Sequence, residues 1–225
     1  ARWGISLRYR PQEKPEGIAQ AFLICAPDIA GDSVALILGD NLFYGRMGLD
    51  QIARDFTGGA RVFGYPVSDP ERYGVVEFDV EGNVVSLEEK PERPRSHYAV
   101  PGLYLYGDDV VAKTRALQPS RRGELEITDL NHAYLAEGRL AVSKLGRGIA
   151  WLDTGTPTAL LEASMFIHAI EARQGFKISC PEEVAFRRGF IGLEGLQRLA
   201  DAAPRSDYGD YLRRIVAEEE EGIRG

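Results

Sequence analysis

Several features that mark specialised protein classes are scarce in these 225 residues. Two cysteines, Cys25 and Cys180, are too few for a disulfide framework or, on their own, for a zinc site. Acidic residues outnumber basic ones, and the net charge of -7 argues against binding nucleic acid through a broad basic face. The apolar run at residues 34–38 is far too short to cross a bilayer, so no membrane partner is expected.

Targeting signals and common catalytic motifs are also missing. The start, Ala1-Arg2-Trp3, has no initiator methionine and no apolar signal-peptide core, so a cytoplasmic protein is expected. Neither a P-loop nor a G-x-S-x-G element occurs, which leaves P-loop kinases and serine hydrolases without support. His97, His132 and His168 lack a short metal-ligand spacing and are predicted to be structural.

What is present is an ordinary globular composition with alternating strand-like and helix-like segments. Hydrophobic residues make up 44% of the chain and charged residues 27%, which excludes a disordered protein. Strands at residues 5–9, 34–38 and 61–66 alternate with helices at residues 17–26 and 49–56. This alternation predicts an α/β fold with a Rossmann-like, mostly parallel sheet flanked by helices.

Residues 74–106 depart from this alternation. Strand-like runs at 75–78 and 84–88 flank Glu81-Gly82-Asn83, which predicts a hairpin and therefore a mixed sheet. The core continues with a strand at 98–106, helices at 108–117 and 127–137, and strands at 140–145 and 149–152. After Asp153 the pattern is helical, so we predict an α/β core over residues 1–156 and a helical C-terminal region over residues 157–225.

Two aspartates, Asp40 and Asp153, directly follow predicted strands. In open α/β sheets ligands collect beyond the carboxyl ends of strands, so the two carboxylates can face each other across one edge. Mg²⁺ prefers one or two carboxylates together with phosphate oxygens, and such a pair would form a site for phosphate chemistry. The alternative is that Asp40 only caps a helix or turn, and that Asp153 only organises the turn before Thr156 and Pro157.

Two further charged segments can carry chemistry. Glu89 and Lys90 end a predicted strand and project in opposite directions, one towards a sugar hydroxyl and the other towards a phosphate. The alternative for this pair is a surface ion pair. Arg121 and Arg122 open the segment 121–129 and can bind phosphate. Its acidic residues offer a second interpretation, a glycosidase-like carboxylate pair. This interpretation is the weaker one, because the segment runs into the start of a helix, where the helix dipole stabilises acidic residues.

These signals form one ordered set of motifs that spans nearly the whole chain. The set comprises Gln12 with residues 17–22 (GIAQAF), residues 38–41 (LGDN), 69–78 (DPERYGVVEF), 86–91 (SLEEKP), 122–129 (RGELEITD), 148–156 (GIAWLDTGT) and 179–183 (SCPEE). On these motifs the chain resembles the glucose-1-phosphate thymidylyltransferases, a family of sugar nucleotidyltransferases. The resemblance implies a nucleotide-diphospho-sugar transferase fold. It also implies that dTTP and glucose 1-phosphate react to give dTDP-glucose and pyrophosphate, by direct in-line attack that requires Mg²⁺.

The resemblance also implies roles for individual residues. The implied catalytic positions are Asp40 and Asp153 as Mg²⁺ ligands, Lys90 on the sugar phosphate and Arg122 as a further phosphate contact. The implied sugar-binding positions are Glu89 on the sugar hydroxyls, Lys90, and Tyr73, Gly74 and Val100 as pocket lining. The implied nucleotide-binding positions are Gln12, Gly17 and Asp40, and an amide such as that of Gln12 offers both a donor and an acceptor to a base edge.

The resemblance further implies a homotetramer with a second nucleotide site for feedback control. The positions matching that site are Tyr44, Gly45, Arg147, Ser179, Glu183 and Arg187. The alternative for these residues is packing between the core and the helical region. Pro101 stands where the family usually has a small polar residue, and it removes a backbone donor beside the sugar pocket.

The family's N-terminal Gly-rich segment, which cradles the triphosphate, does not occur among these residues. We therefore expect little turnover from residues 1–225 unless that segment is present. An alternative function is then a non-catalytic remnant that binds nucleotide-sugar or forms oligomers. A second alternative is a related enzyme that uses UTP or another sugar 1-phosphate.

Overall fold

A computed structural model describes residues 2–222, which fall into two compact units. One unit is Arg10–Ala159, and the other combines Ala1–Tyr9 with Leu160–Gly225. The division of the chain after residue 156 stays a prediction. Within residues 2–222, no helix has both the length and the apolar character needed to cross a membrane.

The Arg10–Ala159 unit is built around a seven-stranded sheet and a two-stranded sheet. Its strands are β1 (Val34–Ile37), β2 (Asn41–Tyr44), β3 (Ala60–Pro66), β4 (Gly74–Phe78), β5 (Val84–Glu89), β6 (Tyr98–Ala99), β7 (Leu103–Tyr106), β8 (Leu140–Lys144) and β9 (Ala150–Asp153). Its helices are α1 (Gln20–Ile24), α2 (Ala26–Ile29), α3 (Leu49–Arg54), α4 (Val110–Ala116) and α5 (Ile127–Ala136), and a 3₁₀ turn covers Pro70–Arg72.

The large sheet is mixed, and the predicted α/β fold class is confirmed. Its strand order is β1-β7-β3-β6-β4-β5, with β8 paired to β3. Within the described residues β3 and β8 run parallel, whereas the other pairs of this sheet are antiparallel, so the sheet is less parallel than the sequence predicted. The difference has a physical reason, because a buried strand shows an apolar run whichever way its neighbour points. The predicted hairpin around Gly82 is present between β4 and β5.

The small sheet brings two distant segments of the chain together. Strands β2 and β9 pair antiparallel, with Asn41 opposite Asp153 and Phe43 opposite Trp151. Residues 41–44 carry no clear strand signal in the sequence, because four residues are too few to show a period. This pairing sets the end of β1 beside the end of β9.

The main core of this unit lies where α1, α4 and α5 contact the sheet. Phe22 of α1 meets Tyr106 of β7 edge to face, with the ring centroids 5.1 Å apart. Tyr106, Leu130 and Tyr134 are fully buried in the same cluster. This core fixes α5 and β5 against each other, and both elements carry residues of the candidate site.

Residues 5–9 form no strand, in contrast to the sequence prediction. The side chains of Ile5, Leu7 and Tyr9 are exposed, and no strand of the described residues pairs with this backbone. The apolar alternation of the segment was therefore misleading, because a strand needs a partner for its backbone groups. The segment belongs to the helical unit instead.

The helical unit contains α7 (Pro181–Arg187), α8 (Leu193–Ala202), α9 (Asp207–Glu220) and most of α6 (Pro157–Gln174). Ser206 caps α9, since its side chain accepts a 3.2 Å hydrogen bond from the Gly209 N–H. Leu196, Leu212 and Ile215 form the centre of its core. The buried Glu182 accepts hydrogen bonds from the Tyr208 hydroxyl (2.6 Å) and the Trp3 indole (3.3 Å), which attaches the first residues to this unit.

Candidate active site

A cavity of about 200 Å³ in the Arg10–Ala159 unit collects most of the predicted catalytic and sugar-binding residues. Its lining includes the predicted residues Asp40, Tyr73, Gly74, Glu89, Lys90, Val100 and Asp153. These side chains come from the ends of strands and from the loops that follow them, as expected for a site at a sheet edge. Four other residues that line it, Asn41, Trp151, Thr128 and Asn131, were given no role from the sequence.

The carboxylates of Asp40 and Asp153 lie at the same end of this cavity. The backbone N–H and hydroxyl of Thr154 both donate to the Asp40 carbonyl oxygen, at 2.8 and 2.9 Å. A methyl group placed on Gly155 would lie 3.2 Å from Asp153 Oδ1 and 3.8 Å from Asp40 Oδ2. Both carboxylates therefore border the same small space. Asp153 also accepts a 3.1 Å hydrogen bond from the Gly155 N–H, so it organises its turn as well.

Asn41 connects this carboxylate pair to the wall of the cavity. Its Oδ1 accepts hydrogen bonds from the Trp151 indole at 2.7 Å and from the Gly102 N–H at 2.9 Å. Its Nδ2 donates to Asp40 Oδ1 at 2.9 Å. Because the Trp151 indole and the Gly102 N–H both need the Asn41 oxygen as acceptor, the orientation of the Asn41 amide is fixed. Its NH₂ group therefore faces Asp40. The position of Asn41 directly after Asp40 was the available sequence signal.

The two carboxylates fit a divalent cation that substrate phosphates help to coordinate. Mg²⁺ is bound through one or two carboxylates plus substrate phosphates more often than by an all-protein cage. In the part of the chain that the structure describes, no three His, Cys, Asp or Glu side chains group as a metal site. Asp40 and Asp153 are the residues that would hold such a cation, with the small space beside Gly155 between them.

Glu89 and Lys90 line the same cavity. Gly74 pairs with Glu89 across β4 and β5, and a methyl group on Gly74 would lie 3.3 Å from Glu89 Oε2. The Thr128 hydroxyl donates to the same oxygen at 2.7 Å. One carboxylate oxygen of Glu89 is therefore held by α5, which leaves the other oxygen to accept from a ligand hydroxyl.

Lys90 adopts an unusual backbone conformation directly after β5. Its φ of 45° lies in the left-handed region, and its N–H donates to the Tyr73 carbonyl at 3.0 Å. Such strain is held by the surrounding structure and is enriched at functional sites. The Lys90 ammonium group makes no ion pair with any of residues 2–222, so the alternative of a surface ion pair with Glu89 does not hold. An uncompensated cation therefore borders the cavity.

Tyr73 and Arg72 form a third wall. The Tyr73 ring lies edge-on to Trp151 with centroids 5.0 Å apart, and the Arg72 guanidinium stacks 5.4 Å from the same ring. Burial raises the pKa of the Tyr73 phenol above its ordinary value, so the phenol stays neutral. The Arg72 pKa is raised chiefly by its hydrogen bond to Asp69, and the carboxylate of Asp153 adds to the effect. The Arg72 guanidinium, which is paired with Asp69 at 2.8 Å, therefore also interacts with the charge of Asp153.

Val100 and Pro101 complete the strand segment beside the cavity. The Val100 N–H donates to the Gly74 carbonyl at 2.7 Å, so its own carbonyl is the group left for a ligand. Pro101 is fully buried, and its carbonyl accepts from the Leu103 N–H at 2.8 Å. A methyl group on Gly102 would lie 2.7 Å from the Leu38 side chain. Gly102 is thus required for the close approach of this segment to the end of β1.

Arg122 does not line the carboxylate cavity. It borders an adjoining cavity of about 470 Å³ that shares Glu89, Lys90 and Thr128 with the first. Its guanidinium is paired with both carboxylate oxygens of Glu126, at 2.9 and 3.0 Å. This pairing raises the Arg122 pKa. Arg122 can reach a phosphate only by exchanging one anionic partner for another.

Gln12 and Gly17 lie together, outside the residues that line the carboxylate cavity. The Gln12 side-chain nitrogen donates to the Gly17 carbonyl at 3.1 Å. Gly17 has a φ of 99°, and a methyl group there would lie 2.3 Å from the Leu125 carbonyl oxygen, so only glycine fits. The next residue, Ile18, does line the cavity, which joins this pair to the site through one residue.

The matches to known proteins agree with this geometry. A family model described as nucleotidyl transferase matches residues 1–170. The chain belongs to the nucleotidyl transferase family. This confirms the family that the motifs predicted.

Curated relatives of this nucleotidyl transferase carry the name that the motifs suggested. The chain is 52% identical over 218 residues to glucose-1-phosphate thymidylyltransferase of Xanthomonas campestris pv. campestris, covering 96% of this chain and 74% of the relative. It is 52% identical over 219 residues to the enzyme of that name from Mycobacterium tuberculosis, covering 96% and 75%. The chain therefore spans about three quarters of the length of these relatives.

Solved structures show the same fold. A Bacillus anthracis protein named as a glucose-1-phosphate thymidylyltransferase, crystallised with sucrose, matches with a TM-score of 0.67 and 39% identity over 73% of this chain and 66% of that one. A UDP-glucose pyrophosphorylase bound to UDP-glucose matches with a TM-score of 0.62 and 23% identity over 70% of this chain and 64% of that one, which supports the fold alone.

The predicted feedback-site residues of this nucleotidyl transferase are divided between the two compact units. Gly45 and Arg147 line a separate cavity of about 620 Å³, whereas Tyr44 lies opposite Ala150 in the small sheet. In the helical unit, Arg187 forms ion pairs with Glu183 and Glu219, and Ser179 has a φ of 54°. The regulatory role of these positions stays a prediction.

Proposed function

We propose that this chain provides the sugar-phosphate and metal side of a glucose-1-phosphate thymidylyltransferase site. The reaction joins glucose 1-phosphate to the α-phosphate of dTTP, and gives dTDP-glucose and pyrophosphate. One observation carries the proposal: Asp40 and Asp153 border one small space and line the same cavity as Glu89 and the unpaired Lys90. An acid pair for a metal, a free cation for phosphate and a carboxylate for hydroxyls in one cavity match a sugar phosphate that meets a metal-bound nucleotide.

The sugar is held by the Glu89 side of the cavity. Glu89 accepts from sugar hydroxyls through the oxygen that Thr128 does not occupy, and the Val100 carbonyl accepts from another hydroxyl. Tyr73 and Trp151 supply apolar surface that excludes water. These contacts orient the sugar phosphate towards the carboxylate pair, so alignment rather than covalent chemistry lowers the barrier.

The phosphates are held by the cationic groups of the cavity. Lys90 neutralises the sugar phosphate, whose oxygen is the nucleophile, and Arg72 offsets negative charge near Asp153. Arg122 adds a contact once phosphate replaces Glu126 as its partner. Asp40 and Asp153 would hold Mg²⁺, which when bound would supply Lewis-acid stabilisation of the negative charge on the phosphates. The residues of this chain thus position two anions that would otherwise repel each other.

The direct test is substrate-dependent release of pyrophosphate by the native protein. We expect release from dTTP with Mg²⁺ only when glucose 1-phosphate is present, and equilibrium binding of dTDP-glucose that requires Mg²⁺. Failure to bind dTDP-glucose contradicts the proposal. Binding without pyrophosphate release favours the non-catalytic alternative, and equal use of UTP favours a related nucleotidyltransferase. The homotetramer and the cytoplasmic location remain predictions.

A further inference from the structure

Three polar side chains beside Gly17 form a linear hydrogen-bond relay. Gln20, at the start of α1, donates from its Nε2 to Glu16 Oε2 at 2.7 Å. Gln12 donates from its Nε2 to Gln20 Oε1 and to the Gly17 carbonyl. We call Glu16, Gln20 and Gln12 the amide relay.

The amide relay runs between two groups that only accept hydrogen bonds, the Glu16 carboxylate and the Gly17 carbonyl. An ionised carboxylate has no proton to donate, so the Gln20 atom that meets Glu16 is the amide nitrogen. The oxygen of Gln20 then faces Gln12, and it requires the nitrogen of Gln12. The Gly17 carbonyl independently requires the same nitrogen. The orientation of the Gln12 amide is therefore fixed by two separate partners.

This orientation decides what Gln12 can offer to a ligand. Both N–H groups of its amide are used, one on Gly17 and one on Gln20. Its Oε1 accepts from no group among residues 2–222, and the Gly17 backbone N–H donates to none of them. The surface thus presents an acceptor on residue 12 and a donor on residue 17, with no spare donor on Gln12.

The backbone beneath the amide relay is firmly held. The Leu125 N–H donates to the Glu16 carbonyl at 2.8 Å, and the Ala19 N–H donates to the Leu125 carbonyl at 3.3 Å. Gly17 is pressed against Leu125 in a conformation open only to glycine. The donor and the acceptor are consequently held in place before a ligand arrives, which lowers the cost of binding.

We propose that Glu16 and Gln20 are positioning residues that set the nucleobase selectivity of Gln12. This inference rests on the proposed function and on the nucleobase contact that the family resemblance implies for Gln12 and Gly17. Thymine and uracil carry an N3–H donor beside carbonyl acceptors, which matches an outward amide oxygen next to a backbone N–H. Cytosine in the same register presents the lone pair of its N3 to the amide oxygen, and two acceptors repel. If the amide relay is broken, one of the two partners that hold the Gln12 nitrogen inward is lost, so turning that nitrogen outward towards cytosine costs only the hydrogen bond to Gly17.

The test compares the binding of dTDP-glucose and dCDP-glucose to the native protein by titration calorimetry with Mg²⁺. Gln20→Met removes the acceptor for Gln12 but keeps the length of the side chain. We expect the ratio of the dissociation constants of dCDP-glucose and dTDP-glucose to fall about tenfold in this variant. This is the effect of losing one hydrogen bond that fixes a polar contact. Gln20→Glu keeps an acceptor for Gln12, and should retain the preference even if overall affinity falls.

Gln197→Met is the matched control, because Gln197 also donates to a carboxylate four residues away, at 2.8 Å to Asp201. It should leave both affinities unchanged. A full wild-type preference in Gln20→Met overturns the inference, as does equal binding of the two sugar nucleotides by the wild type. In both cases the binding of dTDP-glucose leaves the proposed function standing. If the wild type binds neither sugar nucleotide, the result contradicts the proposed function itself, and the inference falls with it.

Discussion

The indole N–H of Trp151 donates a 2.7 Å hydrogen bond to Asn41, the residue that follows Asp40. Trp151 stands two residues before Asp153 and pairs with Phe43 across the small sheet. A single amide thus connects the segments that carry both acidic residues of the site. The spacing of the two carboxylates depends on this cross-strand contact as much as on the aspartates themselves.

Replacing Asn41 should therefore harm both stability and metal-dependent binding. Asn41→Leu leaves the Trp151 and Gly102 N–H groups without their acceptor, and each buried unpaired donor costs about 1–3 kcal/mol. Urea unfolding should show a lower free energy of unfolding, and dTDP-glucose should bind more weakly in Mg²⁺. Asn83→Ala, at the tip of the exposed hairpin, is the control. Equal losses in the two variants would contradict a special role for Asn41.

Glu89 should contribute mainly to sugar affinity. Glu89→Gln removes the negative charge, so an amide that donates to the Thr128 oxygen leaves only a neutral acceptor for the sugar, and the charge-assisted hydrogen bond is lost. We expect the KM for glucose 1-phosphate to rise about tenfold, while the KM for dTTP changes little. Glu88→Gln, on the exposed face of the same strand, is the matched control. A rise in the KM for dTTP alone would assign Glu89 to the nucleotide instead.

The acid stability of the helical unit should depend on Glu182. Burial raises the pKa of this carboxyl, but hydrogen bonds from Tyr208, its own backbone and Trp3, together with the nearby Arg2, bring it below the ordinary value of 4.5. Because the folded-state pKa is depressed, the stabilisation is complete above the unfolded value and is lost as the pH falls through the folded one. The helical signal in circular dichroism should therefore weaken during unfolding scans below about pH 4.5.

Glu182→Gln should flatten this dependence on pH, because the amide does not titrate. Glu194→Gln, a change at the start of α8, should leave the dependence unchanged. A wild-type slope between pH 5 and 3 in Glu182→Gln would show that another group controls the acid stability. The variant is expected to be less stable at neutral pH, since the amide accepts only through one oxygen.

The sequence predicted the parts of the site that depend on local pattern. The apolar runs before Asp40 and Asp153 correspond to β1 and β9, and the hairpin at Gly82 joins β4 and β5. These signals are local, because a buried strand and a tight turn each have a composition that can be read within a few residues.

The remaining features depend on contacts between distant residues. The pairing of Asn41 with Asp153 joins positions more than a hundred residues apart, and a four-residue strand has no readable period. The direction of the strands in the large sheet could not be read from the sequence either. Residues 5–9 alternate like a strand, but their backbone pairs with no strand of residues 2–222. Thr128 stood within a recognised motif, yet only its hydrogen bond to Glu89 shows what its hydroxyl does.

The acidic pair itself can be tested with conservative substitutions. Asp40→Asn and Asp153→Asn each remove one negative charge while keeping the size of the side chain. Asp55→Asn is the matched control, because it makes the same change at an exposed aspartate that accepts a hydrogen bond from Gln51 of α3. Removing a metal ligand should cost several kcal/mol of transition-state stabilisation, or a fall of about 100-fold or more in rate. Bound Mn²⁺, followed by electron paramagnetic resonance with dTDP-glucose present, gives a reading that does not depend on turnover.

The most direct measurement is the Mg²⁺ dependence of pyrophosphate release by the native protein and these three variants. The account predicts that Asp40→Asn and Asp153→Asn both lose at least about 100-fold in rate and lose bound Mn²⁺. Asp55→Asn should match the wild type in both readings. A wild-type rate at the same Mg²⁺ concentration in either Asp40→Asn or Asp153→Asn would contradict the assignment of the carboxylate pair.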